Sequence, residues 1–138
     1  MPITTGSKAP DFKLKTLGVN GPEDYSLSAN LGKKNTVVLF FPLAFTGVCT
    51  SEMCDVTAGI SQYESLNAAV VGISVDSPFA LDAWAKKEGI RIPLLSDLNK
   101  QTAKAYGVLL DDLIGLGSVS ARAAFIVDKE GVVRYSEQ

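Results

Sequence analysis

The sequence predicts an α/β fold in which helices flank a central mixed sheet. Three apolar runs point to it: Thr36–Phe41 reads as a strand covered on both faces, Ala69–Ser74 as a buried strand and Ala123–Val127 as another strand. Amphipathic helical stretches separate them, which indicates layers of helix on sheet. The 138 residues amount to one domain, residues 1–138, and at 46% apolar and 20% charged the chain can build a core without staples.

Phe12–Lys15 and Tyr25–Ser28 alternate apolar with polar residues, and Gly18-Val19-Asn20-Gly21-Pro22 between them is a turn signal, so an N-terminal hairpin with a longish loop is expected. The first buried strand, Thr36–Phe41, ends at Pro42. A helix from about Cys49 to Leu66 follows, because Met53, Val56, Ile60 and Tyr63 form one apolar stripe that Cys49 continues at its N-terminal end. After the strand Ala69–Ser74, Asp76-Ser77-Pro78 starts a helix, Phe79–Glu88, that stops at Gly89. Pro93–Ser96 is a short strand and Lys100–Tyr106 a short helix ended by Gly107. The strand Ala123–Val127, the turn Asp128–Gly131 and the strand Val132–Tyr135 close the chain, with no helical pattern after them.

Composition narrows the chemistry. The chain contains no histidine, which removes histidine bases, Ser-His and Cys-His pairs and the common zinc sites. A net charge of −2 offers no electrostatic reason to bind nucleic acid or an anionic membrane, and no apolar run approaches the ~18 residues of a membrane span. Two cysteines, Cys49 and Cys54, are too few for a four-cysteine metal site or a disulfide scaffold. With no targeting segment visible, a reducing cytoplasm is the expected location, where a close cysteine pair is more often redox-active than structural.

Cys49 is expected in the first turn of a helix that grows from a buried strand, where ligands and catalysis gather in open α/β sheets. Amide N–H groups and the helix dipole favour an anion there. Lowering a thiol from ~8.5 to ~6 raises its thiolate fraction at pH 7 from a few per cent to about nine tenths. Thr46 can offer its hydroxyl to the sulfur, and Pro42, apolar and without an N–H, can screen it from water. The plainer reading is a small buried hydrophobe on an ordinary strand–helix connection.

Pro42-x-x-x-Thr46-x-x-Cys49 resembles the signature of the peroxiredoxins, thiol peroxidases with a thioredoxin-like fold. Similar runs extend along nearly the whole chain: Gly6-Ser7-Lys8-Ala9-Pro10-Asp11-Phe12, Val75-Asp76-Ser77, Ile92–Asp97, Tyr106-Gly107-Val108 and Arg122–Asp128. The segment Phe41–Cys49 is most similar to the alkyl hydroperoxide reductase E-type subgroup, and the second cysteine five positions on is similar to the Q-type (bacterioferritin-comigratory) subgroup. The resemblance implies that Cys49 attacks hydrogen peroxide or an organic hydroperoxide and becomes a sulfenic acid. It also implies that Thr46 and Arg122 bind thiolate and peroxide, that Cys54 resolves the sulfenic acid as a disulfide, and that thioredoxin or a glutaredoxin-like thiol donor reduces the product. No cofactor or metal is implied. Family members usually carry a C-terminal helix after the last strand, so that helix is expected to be absent here. The related subgroups leave monomer and homodimer both open.

On one continuous helix, positions five apart stand roughly 8–9 Å from each other, beyond the ~7 Å a disulfide spans. A Cys49–Cys54 bond therefore requires local unwinding around residues 47–56. Glu52 reads as a charge favouring the helix dipole, Trp84 as core or interface, and Asp111-Asp112 as a solvated loop. A disulfide oxidoreductase is disfavoured by the C-x-x-x-x-C spacing, and a non-catalytic redox sensor is the other alternative.

Overall fold

A computed structural model describes residues 2–59, 62 and 65–138, and the side chains of all of these except Val48 and Cys49. Among the described residues the strands and α-helices follow in the order β1 (Lys13–Gly18), β2 (Gly21–Ser26), β3 (Asn35–Phe40), α1 (Gly47–Ala58), β4 (Ala68–Ser74), α2 (Pro78–Glu88), β5 (Leu94–Ser96), α3 (Gln101–Ala105), β6 (Leu109–Leu110), β7 (Val119–Ser120), β8 (Ala123–Val127) and β9 (Val133–Glu137). Among the described residues, seven strands form one mixed sheet in the order β2-β1-β5-β4-β3-β8-β9, while β6 and β7 form a separate ribbon. β3, β4 and β5 run parallel, and β8 lies antiparallel to β3.

Three expectations change. The hairpin loop is tight rather than long: Gly18 pairs with Gly21, leaving only Val19 and Asn20 in the turn. Pro22 belongs to the strand because β2 is an edge strand, where a missing N–H removes no ladder bond. α1 starts two residues earlier than Cys49 and ends at Ala58, with Gly59 as its C-cap. Its expected continuation to Leu66, with Ile60 and Tyr63 in the stripe, falls largely on residues outside the described ones. The β6–β7 ribbon was not expected, since two-residue strands carry too little periodicity to read.

The two faces of the sheet carry separate cores. Along β3 burial alternates: Val38 and Phe40 are fully buried in one cluster with Phe12, Val71, Tyr106 and Phe125. Val37 and Leu39 face the other cluster, where Phe41, Met53, Leu81 and Trp84 pack beneath α1 and α2. Aromatic contacts stiffen both sides, with Phe40 edge-on to Phe125 at 5.8 Å and Phe41 tilted against Trp84 at 5.2 Å.

α2 begins and ends where local chemistry dictates. The Ser77 hydroxyl accepts the Ala80 N–H at 3.1 Å, Pro78 occupies the first turn, and Gly89 takes the left-handed conformation at φ 70°. Gly72 in β4 sets how closely α1 approaches the sheet. A Cβ there would lie 2.9 Å from Leu94 Cδ2, 3.3 Å from Phe41 Cε1 and 3.4 Å from Met53 Sδ. Gly72→Val is therefore expected to lift Met53 and α1 from the sheet, lowering stability by about 1–3 kcal/mol in urea denaturation. An unchanged midpoint would show that this contact does not seat the helix.

Candidate active site

Neighbouring strands deliver their carboxyl ends to one place. The parallel register pairs Phe40 with Ile73, so the loop after β3 and the residues after β4 emerge side by side. The antiparallel register pairs Phe40 with Ala123, and one step further sets Arg122 opposite Phe41. Pro42, half-buried, starts the loop at a bend just after Phe41.

A carboxylate ties the loop to the sheet. Asp76 Oδ2 accepts the Ala44 N–H at 2.8 Å and the Ser74 hydroxyl at 2.6 Å. The Ser96 hydroxyl donates to the Asp76 carbonyl oxygen at 2.7 Å, which links the end of β5 to the same node. Phe45 follows with φ 66°, a strained conformation for a non-glycine residue. Its ring lies 6.4 Å from that of Trp84, and Lys87 Nζ sits 5.9 Å from its centroid.

Thr46 is the N-cap residue of α1, but its side chain does not cap the helix. Its hydroxyl donates instead to the Leu43 carbonyl oxygen at 3.0 Å. The N–H groups of residues 47–49 have no carbonyl partner within the helix, so the first turn presents donors and the positive end of a dipole. Cys49 lies in that turn.

Two polar contacts hold the turns that follow. Arg122 Nη1 donates to Glu52 Oε2 at 3.1 Å. Glu52 is three positions after Cys49, on the same helix face, so the guanidinium is docked beside the turn that carries the cysteine. With Arg122 38% and Glu52 28% exposed, this pair adds only about 0–1 kcal/mol of stability, and its consequence is placement of charge. Trp84, fully buried, donates its Nε1–H to the Thr50 hydroxyl at 2.9 Å. Further along α1, Cys54 is a free, half-buried thiol whose Sγ–H points to the Glu88 carbonyl oxygen at 3.6 Å.

The sequence profile of the AhpC/TSA family matches residues 5–136. The chain belongs to that family. It is 38% identical to the chloroplastic 2-Cys peroxiredoxin BAS1 of Spinacia oleracea over 95% of this chain and 51% of that protein. It is 33% identical to alkyl hydroperoxide reductase E of Mycobacterium tuberculosis over 98% of this chain and 85% of that protein. The reduced 2-Cys peroxiredoxin of Plasmodium vivax superposes with a TM-score of 0.86 at 35% identity, covering 96% of this chain and 83% of that one. The chain thus spans about half the length of the spinach relative. The resemblance to peroxiredoxins holds at the level of family and thioredoxin-like fold.

In this AhpC/TSA-family chain, Pro42, Thr46 and Cys49 lie on one strand–loop–helix connection, and Arg122 is brought beside it through Glu52. Cys54 stands on the same helix as Cys49, toward the opposite end. Three contributors went unread in the sequence. By sequence Glu52 reads as a dipole charge, Thr50 carries no signal, and Asp76 reads as part of a helix start and of a family-like run, with no tie to the loop. For Asp76 a signal existed, since Ser74-Val75-Asp76 closes the strand next to the one that feeds the loop. Among the described residues, no cluster of side chains could hold a metal ion. Asp76→Ala leaves the Ala44 N–H and Ser74 hydroxyl without their acceptor and is expected to cost roughly 1–3 kcal/mol. Hydrogen exchange at Ala44 that stays as slow as in the parent would contradict the tie.

Proposed function

We propose that this chain is a thiol-dependent peroxidase that reduces hydrogen peroxide and organic hydroperoxides through Cys49. The observation that carries the reading is the docking of Arg122 on Glu52, one helical turn from Cys49, at a helix start fixed by Asp76. A thiolate in that turn sits among amide donors with a permanent cation beside it, a substitute for the absent histidine.

In the reaction, the Cys49 thiolate attacks the terminal peroxide oxygen. A sulfur–oxygen bond forms while the oxygen–oxygen bond breaks. The attacked oxygen keeps its hydrogen and becomes the sulfenic hydroxyl, and the leaving hydroxide or alkoxide takes a proton from water. Negative charge moves from sulfur toward the leaving oxygen, so donors already aimed there lower the barrier. Arg122 supplies such donors. Thr46 contributes its hydroxyl by exchanging the Leu43 carbonyl for the incoming peroxide. Pro42 shields the sulfur from water. Cys54 then resolves the sulfenic acid as a disulfide, and thioredoxin or a glutaredoxin-like protein reduces it. Half-exposed Leu43 and exposed Phe45 beside the loop suit substrates with an apolar group. Two cysteines, with no disulfide framework to build, support a reducing compartment such as the cytoplasm.

Peroxide consumption driven by a thiol reductant tests the reading. Cys49→Ser is expected to abolish turnover. Arg122→Met is expected to slow oxidation of Cys49 by about 10²–10³-fold while the fold persists. Cys54→Ser is expected to keep the first oxidation and lose the internal disulfide. Parent-like turnover by Cys49→Ser would overturn the assignment.

A further inference from the structure

The two halves of α1 are held by different means. The C-terminal half is anchored: Met53 is fully buried, Cys54 bonds the Glu88 carbonyl, and Thr57 Oγ1 accepts the Arg91 backbone N–H at 3.1 Å. The Arg91 guanidinium also reaches the Thr57 carbonyl oxygen at 3.5 Å, serving one of the helix's end carbonyls. In the N-terminal half Gly47 and Ser51 are exposed, and Thr50 and Glu52 are only half-buried. What holds these two is polar, through Trp84 and Arg122 respectively.

We propose that the Trp84–Thr50 hydrogen bond is a latch on the first turns of α1 and sets the rate at which oxidised Cys49 is carried to a stationary Cys54. The inference rests on the reading of the two cysteines given above. Resolution forms a sulfur–sulfur bond and breaks the Cys49 sulfur–oxygen bond, and the hydroxyl leaves as water with the proton of the Cys54 thiol. The Cys49 sulfur is reduced, the Cys54 sulfur is oxidised, and the hydroperoxide already consumed is the net oxidant. On a wound helix the two α-carbons lie roughly 8–9 Å apart, whereas a disulfide needs about 4.4–6.8 Å. Since residues 53, 54 and 57 are anchored, the segment that moves is 47–52.

Unwinding that segment withdraws the Thr50 hydroxyl from the indole. The Trp84 Nε1–H is the ring's only donor and belongs to a fully buried side chain, so its loss of a partner is costly. The more exposed Glu52–Arg122 pair can pass to water at little cost. The latch therefore governs a competition. While α1 stays wound, the sulfenic acid remains open to a second hydroperoxide that converts it to sulfinic acid.

Thr50→Val keeps the β-branched shape and removes the acceptor, which moves the cost of the orphaned indole N–H onto the wound state. In the 138-residue chain, rapid mixing with hydrogen peroxide and quenched mass spectrometry follow the sulfenic acid into the disulfide, a species two hydrogens lighter than the reduced chain. Thr50→Val is expected to form the disulfide about three- to tenfold faster, the worth of one neutral hydrogen bond, and to need correspondingly more peroxide for sulfinic acid. Thr50→Ser restores the acceptor and is expected to match the parent. In the reduced protein, amide exchange at residues 51–53 is expected to quicken in Thr50→Val, with residues 56–58 unchanged. Parent-like or slower disulfide formation in Thr50→Val overturns the latch, as does exchange that quickens along all of α1. Failure of the parent chain itself to give the lighter species defeats the Cys49–Cys54 reading and the latch with it.

Discussion

The bond from the Ala44 N–H to Asp76 Oδ2, 2.8 Å long, fixes the start of α1 relative to the sheet. Parallel pairing of β3 with β4 brings loop and carboxylate out side by side, and the buried Ser74 hydroxyl on the same oxygen keeps that carboxylate from turning away. Because the tie lies two residues before the N-cap Thr46, it sets the direction in which the helix leaves the strand. The positive φ at Phe45 is the bend that this direction demands. A helix start so fixed presents its amide donors without reorganisation when charge develops, which is the condition for electrostatic catalysis.

Stability and reactivity are divided along α1. Apolar burial of Met53 against Phe41 and Trp84, made possible by the bare Gly72, seats the helix. Among the described residues around Cys49, Gly47 and Ser51 are exposed, and half-buried Thr50 and Glu52 are tied by polar contacts of modest individual worth. A thiol peroxidase with an internal resolving cysteine needs both conditions: a wound first turn to activate the sulfur, and a first turn that can open without unfolding the domain. Trp84 serves both, since its ring is core and its N–H is one of the ties.

What could be read in the sequence was local. The run Thr36–Phe41 stopped by Pro42, the Ser77-Pro78 start and Gly89 stop of α2, and the strand Ala123–Val127 all carry their signals within a few residues, and the fold class followed from their order. Pro42, Thr46 and Cys49 were legible for the same reason, as one short connection. Arg122 was legible only through its family-like neighbours. Its pairing with Glu52 joins positions 70 apart, and Trp84 with Thr50 joins positions 34 apart. Such contacts depend on strand register and helix orientation, which no local pattern encodes. The tight hairpin turn is not legible locally, because Pro22 signals a turn by composition while its place on an edge strand depends on the order of the whole sheet.

The central claim is that Cys49 is ionised at neutral pH by amide donors and a docked guanidinium. The direct test is the pH dependence of its alkylation rate in the Cys54→Ser background, which leaves a single thiol. The account predicts a midpoint well below the ~8.5 of an ordinary thiol, within the ~3.5–7.5 range of activated cysteines, moving upward in Arg122→Met. A midpoint at or above the ordinary value, unmoved by that substitution, would contradict it.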